Sequence, residues 1–199
     1  MAKTKNGEAT PPKSAAPPLS AESLVSAAKA AGRRGPPPVH LWNPPFCGDI
    51  DIRIARSGLW FYLGTPIGRK ELVKLFAGIL KREGDAYFLV TPVEKVGIRV
   101  DDAPFVAVDI DPVPEGLAFT TNVDDRVVAG PEHPIRVERD PLTGEPSPYV
   151  LIRRDLWALI DRKSFYRLVD LGQVQDDWFG VASGGAFFPV IPVAELDLG

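Results

Sequence analysis

The chain contains two histidines, His40 and His133, and a single cysteine, Cys47. His133 sits in GPEHPIR, a proline-bounded turn into a strand, with Asn122, Asp124 and Arg136 close by in sequence. That grouping makes a polar binding cluster if the fold gathers it, because a histidine acts as base or ligand only beside a suitable partner. The plainer reading is a loop histidine bonded to backbone. Residues 101–125 carry seven carboxylates (Asp101, Asp102, Asp109, Asp111, Glu115, Asp124, Asp125) and no Lys or Arg. Asp109 and Asp111 are two apart, so a strand projects both from one face, and such a pair can take part in holding Mg²⁺ or Ca²⁺. The calcium-loop spacing and a third spaced ligand are both absent, which leaves a solvated sheet face as the simpler account.

The cations form a second pattern. Arg53, Arg56, Arg69 and Lys70 have counterparts in Arg153, Arg154, Arg162 and Lys163. Guanidinium forks suit carboxylate or phosphate ligands, whereas pairing with the abundant Asp and Glu is the alternative. The residues singled out for ligand binding are Arg53, Arg69, Asn122, His133, Arg136 and Arg162. No catalytic residue and no cofactor are assigned, and Asp109 and Asp111 are weak metal candidates. Cys47 precedes Gly48 with no identifiable activating base, so it does not read as a nucleophile. Ser183-Gly184-Gly185 leads into no helix with a Lys, and reads as a hairpin turn rather than a phosphate loop.

Composition narrows the function classes. The 199 residues are 45% hydrophobic and 25% charged, ordinary values for a globular protein. Residues 1–38 carry six basic and two acidic side chains, and the remainder carries 17 basic and 24 acidic ones. An acidic folded part argues against nucleic acid, which needs a basic footprint. One cysteine excludes an intramolecular disulfide. The first residues lack an apolar core of the signal-peptide kind, and no apolar run is long enough to span a membrane. The expected address is the cytoplasm.

The elements follow from period and punctuation. Residues 1–19 are too poor in large apolar side chains to order themselves. Residues 20–31 read as a short helix capped by Ser20 and Gly32, weakly docked because its apolar face is mostly Ala. Gly35-Pro36-Pro37-Pro38 makes a stiff linker, and His40, Trp42 and Phe46 an extended arm on the core. Ile50, Ile52 and Ile54 alternate with Asp49, Asp51 and Arg53 as in a half-buried strand. Residues 59–63 return as its hairpin partner. Thr65-Pro66 opens a helix running to Arg82 on the stripe Leu72, Val73, Leu75, Phe76, Ile79, Leu80, with Gly84 as its cap. Strands are expected at 87–91, 97–100, 105–110, 117–123, 126–129, 133–138 and 149–153. Residues 155–171 are helical at least from Asp161, and 178–183 with 186–190 form a closing hairpin.

Two segments echo each other. IARSGLW at 54–60 matches IRRDLW at 152–157 with one residue fewer, and IGRKELVKLF at 67–76 matches IDRKSFYRLV at 160–169 without a gap. The pattern predicts a strand–helix–strand unit used twice in two packed lobes, with a cleft between them as the natural ligand site. The expected division is a tail at 1–38, a first lobe at 39–110 and a second at 111–199.

The stretches GDIDIRIARSGLWFYLGTPIGRKELVKLF, REGDAYFLVTPVEKVGIRVDDAPFVAVDI, TNVDDRVVAGPEHPIRV, PYVLIRRDLWALI and SGGAFF resemble the bacterial family filed as domain of unknown function 1285, over residues 39–191. The resemblance implies an α+β fold with repeated motifs and a possible signalling role. It supplies no reaction and no catalytic residue. The reading is an α+β protein of mainly antiparallel sheets with two long helices, acting as a non-enzymatic binding or regulatory protein for a small molecule or peptide. Alternatives are a metal-assisted or hydrolytic enzyme using Asp109, Asp111 and His133, and an oligomerising module, for instance a homodimer.

Overall fold

Ile50, Ile52 and Ile54 are buried on one side of β1 (Phe46–Ile54), while Asp49, Asp51 and Arg53 look outward. Alternation in the sequence has therefore become a strand with one face on the core. The computed structural model describes residues 20–31 and 37–196. The N-terminal tail expected at residues 1–19, the Gly32 cap and the Gly35-Pro36 part of the linker lie outside the described residues.

β1 turns through Gly58 into β2 (Trp60–Tyr62), pairing Ile54 with Trp60, and β2 turns again into the two-residue β3 (Thr65–Pro66). Then come the helix α2 (Lys70–Gly78) and the strands β4 (Leu80–Glu83), β5 (Ala86–Val90) and β6 (Lys95–Val100). They form a sheet of order β3-β2-β1-β6-β5-β4. The second sheet begins with β7 (Phe105–Val113), β8 (Gly116–Thr121) and β9 (Arg126–Val128). It is completed by β10 (Ile135–Arg139), β11 (Pro146–Arg153) and β12 (Leu156–Ile160), in the order β10-β11-β12-β7-β8-β9. Each sheet is two antiparallel three-strand meanders joined by one parallel pair, β1 with β6 and β12 with β7. The helix α3 (Arg162–Asp170) follows β12 and leads to a third sheet of β13 (Gln173–Gln175), β14 (Trp178–Ser183) and β15 (Ala186–Pro192). Residue 110 thus lies within a strand of the second sheet. The architecture is α+β in two lobes, and one buried cluster runs through both.

The helices differ from expectation. Among the described residues there are three α-helices, of 11, 9 and 9 residues, rather than two long ones. Thr65 and Pro66 do not cap α2. They pair with Tyr62 and Phe61, and the helix starts at Lys70 behind Arg69. At its other end Gly78 stops the helix, and Lys81 and Arg82 belong to β4 opposite Phe88 and Tyr87. Gly84 takes the β4–β5 turn at φ +61° instead of a helix cap. Ile79 and Leu80 are buried in either reading, so the apolar stripe could not tell a helix end from a strand start. Residues 156–160 are likewise strand, and α3 begins behind Asp161, whose carboxylate accepts from the Ser164 N–H at 2.7 Å.

The first helix, α1 (Ala21–Ala31), is firmly seated. Ser20 Oγ accepts from the Ser23 N–H, as the cap requires. Leu24 is 1% and Ala28 0% exposed, and the helix packs on α2. Small side chains that promised little grip let the two helix backbones approach closely.

The two matched tryptophans fall on opposite faces. Trp60 is buried and stacks on Phe76 of α2, with ring centroids 6.3 Å apart. In the β11–β12 hairpin, one residue shorter, Leu156 takes the buried position and Trp157 turns to the outer face opposite Leu151. A single residue of register exchanges the faces of a strand.

The third sheet is hooked to the second by Ser183. Its hydroxyl accepts from the Leu117 N–H and donates to the Ala129 carbonyl, both at 2.7 Å. The following Gly184 (φ +56°) has no room for a Cβ, which would lie 2.5 Å from the Ala129 oxygen. The Ser-Gly-Gly stretch is a packed hairpin turn.

Candidate functional site

A cavity of roughly 680 Å³ opens between the lobes. This volume lies within the range of small-molecule sites. The first lobe contributes Pro37, Pro38 and His40 from the arm and Lys74, Ala77 and Gly78 from the end of α2. The second contributes Val123, Asp125, Arg126 and Val127 around the β8–β9 turn, and Ile152, Arg153 and Arg154 from the β11–β12 turn.

Arg153 braces the cleft wall. Its guanidinium pairs with Asp125, donates to the Ala77 carbonyl at 2.7 Å and lies 4.9 Å over the Phe105 ring. It thereby satisfies a carbonyl at the C-terminal end of α2, where a cation is favoured. Lys74 is held by Asp124 and Glu71, at 2.7 and 3.0 Å. The hydrogen bonds of Lys70 and Lys74 hold the Asp124 carboxyl below its usual range, and Asp124 in turn raises Lys74. Arg126 is more open, its nearest carboxylate being Asp111 at 3.9 Å.

Arg154 stands at the rim in a left-handed backbone conformation, φ +51°. That conformation costs a non-glycine residue about 1 kcal/mol. Arg154 Nη2 donates to His40 Nδ1 at 2.5 Å. A guanidinium cannot accept, so Nδ1 is the acceptor and the neutral ring carries its proton on Nε2. Four cations thus face one carboxylate in the cleft wall, inside a folded part that is acidic as a whole.

The residues singled out from sequence are spread over the molecule. Arg53 pairs with Asp101 at 2.8 Å and lies over the Phe61 ring. Arg69 is exposed at the start of α2. Asn122 joins the lobes: its Oδ1 accepts from the Val106 N–H at 3.0 Å and its Nδ2 donates to the Gly58 carbonyl at 3.1 Å. Gly58 (φ +81°) must be glycine there, since a Cβ would sit 2.7 Å from that amide nitrogen. His133 Nδ1 donates to the Leu151 carbonyl at 3.0 Å. Arg136 lies 4.0 Å over the Trp157 ring, and Arg162 donates to the Tyr166 hydroxyl. Of the six, Arg136 and Arg162 line cavities, and different ones.

Asp109 and Asp111 do share a face, and both turn to Arg167 of α3. The Arg167 hydrogen bond, then the Ile110 N–H, holds Asp109 below the usual carboxylate range. Among the described residues no three His, Cys, Asp or Glu side chains gather as a metal-ligand set. No described helix is long and apolar enough to cross a membrane. Sequence reasoning passed over Lys74 and Arg126, which lie in elements carrying no chemical motif. Arg153 and Arg154 had one signal, their place in the second of two matched hairpins.

A polar network beside the cleft gives a pH dependence. The Tyr149 hydroxyl donates to Asp102 at 2.8 Å, and Arg56 pairs with the same carboxylate at 2.7 Å. Burial, then the bond to Asp102, pushes the Tyr149 phenol from 10.0 up to about 12. The unfolded chain therefore loses this proton first, and the stability contribution present below pH 10 disappears as pH climbs to about 12. Urea unfolding across that window is expected to show a decline in wild type that is reduced in Tyr149→Phe. Parallel curves for the two proteins would remove Tyr149 as the cause.

Family models match the chain from residue 37 to residue 190. Residues 37–103 match the family model "Domain of unknown function (DUF1285), N-terminal domain", and residues 104–190 match "Protein of unknown function (DUF1285), C-terminal domain". The crystal structure of a DUF1285 family protein from Silicibacter pomeroyi DSS-3 is 62% identical, with a TM-score of 0.81 over 87% of this chain and 97% of the other. One from Shewanella baltica OS155 is 33% identical, with a TM-score of 0.49 over 60% of this chain and 90% of the other. No curated protein matches the chain.

Proposed function

This chain belongs to the DUF1285 family, and we propose that it is a non-enzymatic, cytoplasmic binding or regulatory protein that takes a small anionic ligand in the cleft between its lobes. The observation that carries this reading is the set of Lys74, Arg126, Arg153 and Arg154, drawn from both lobes around roughly 680 Å³, with Asp125 as the one carboxylate among the lining residues. Arg126 and Arg154 are the recognition groups, because Arg153 is committed to Asp125 and the α2 carbonyl. Ala77, Val123, Val127 and Ile152 give the cleft an apolar floor. The ligand chemistry that fits is an apolar or planar body bearing a carboxylate or phosphate. Of the two matched segments, the first supplies Lys74 from α2 and the second supplies Ile152, Arg153 and Arg154. The arm at Pro37–His40 is part of the wall, so occupancy is coupled to how the N-terminal segment sits.

A panel of phosphate monoesters, nucleotides and organic carboxylates, screened by thermal shift and then calorimetry, tests this. At least one is expected to stabilise the protein, and Arg126→Ala is expected to weaken it by about tenfold or more. Arg154→Gly is the sharper variant. It relieves the left-handed strain, leaving the unliganded fold as stable or up to about 1 kcal/mol more stable, while affinity falls. A panel without a single binder, or binding indifferent to both substitutions, overturns the assignment.

A further inference from the structure

A second recess, of about 230 Å³, lies on the same seam and shares no lining residue with the main cleft. Its floor is the outer face of the second sheet. Arg136 is paired directly with Tyr149 across β10 and β11, and Trp157 joins them from β12. Glu138, two residues along β10, projects beside Arg136 and pairs with it at 3.0 Å. The cover comes from the first lobe, where Arg82 and Tyr87 are direct partners on β4 and β5. Asp102 and Ala103, from the connection between the sheets, close one end.

The charges balance: two guanidiniums, Arg82 and Arg136, face two carboxylates, Asp102 and Glu138. Asp102 accepts from Tyr149 through one oxygen and is ion-paired with Arg56 at 2.7 Å through the other, which has no hydrogen-bond partner among the described residues. Arg82 donates Nε to the Gly84 carbonyl at 2.8 Å and lies 5.5 Å over the Tyr87 ring, and its carboxylate partners are looser, Asp85 at 3.4 Å and Asp155 at 3.6 Å. Arg136 is stacked 4.0 Å over Trp157 and 5.5 Å from the Tyr149 ring, which fixes its plane, and of its outer nitrogens Nη2 pairs with Glu138. A simple anion would meet the Glu138 carboxylate, and a simple cation would meet both guanidiniums. A zwitterion satisfies both signs, with its carboxylate forked between Arg82 and Arg136 and its ammonium on Glu138 and the Tyr87 ring face.

We infer that this inter-lobe recess binds a small zwitterion, a free α-amino acid with a short or polar side chain. The inference stands apart from the occupant of the main cleft. Bound there, the amino acid ties β4 of the first lobe to β10 of the second through its carboxylate.

The test is calorimetric titration of the full chain with the proteinogenic amino acids, each beside its deaminated acid and its decarboxylated amine. One or more amino acids are expected to bind saturably at millimolar concentration or below. Both truncated analogues are expected to bind at least about tenfold more weakly. Arg136→Ala and Arg82→Ala should each remove binding without moving the unliganded melting temperature appreciably, while Arg126→Ala in the main cleft leaves it intact. The inference is overturned if no amino acid binds, if the deaminated acid binds as well as its parent, or if binding survives Arg136→Ala.

Discussion

Asn122→Ala is expected to destabilise the protein by about 2–4 kcal/mol. The side chain is the centre of a three-way junction. Its oxygen takes the Val106 N–H, its amide reaches the Gly58 carbonyl, and its own N–H bonds the Val106 carbonyl at 2.8 Å. Alanine keeps the last of these and leaves the other two groups unpaired in a half-buried place. Asn122→Asp separates the roles: its oxygen still accepts from Val106, but a carboxylate then faces the Gly58 carbonyl, so most of the loss should remain. Denaturant unfolding followed by tryptophan fluorescence measures both variants. A loss below about 1 kcal/mol for alanine means that water replaces the amide and that the junction is not what aligns the lobes. The result bears on function, since both walls of the main cleft are placed by the same seam.

Phe76→Ala should cost about 3–5 kcal/mol, the range for a fully buried ring. Phe76 is the inward anchor of α2 and is stacked on Trp60, with an interplanar angle of 20°. Removing it leaves a void bounded by two rigid elements, β2 and α2, neither of which can collapse without breaking its own pairing. The variant should unfold at much lower urea concentration and shift Trp60 emission to the red. Tyr166→Ala, on the outward face of α3 and 55% exposed, is the matched control and should stay within about 0.5 kcal/mol of wild type. Comparable losses for the two would mean that α2 does not close the first lobe.

Phe76 and Asn122 differ in how far their roles are legible in the sequence. Phe76 stood out from its place in an apolar stripe. Asn122 is, in sequence, a polar residue near His133, and its role as a junction follows only from the position of Gly58, 64 residues away. His133 faces a backbone carbonyl 18 residues on. Local sequence contains no distance between such pairs, so polar residues sort into ligands and struts only when their partners are placed.

The helix ends show the same limit. Leu72 to Phe76 specify a helix by period, but Ile79 and Leu80 are apolar in a helix and in a strand alike, and pairing of Leu80 with Leu89 decided for the strand. At α1, alanines that looked too small to hold a helix are buried because α2 has a face for them.

By itself the sequence determined the strands of β1 and β2, the hairpin turns at glycine and aspartate, the inward faces of α2 and α3, and the α+β class. Each of these depends on neighbours within a few residues, where period and backbone sterics act. Tertiary structure alone decided that the chain makes two six-stranded sheets with a parallel pair at each centre. It also turned Trp60 inward and Trp157 outward, and brought Lys74 and Arg126 to the same wall as Arg153 and Arg154. Those outcomes depend on pairings across tens of residues and on one residue of register, where many arrangements have similar local energy and only packing of the whole core separates them.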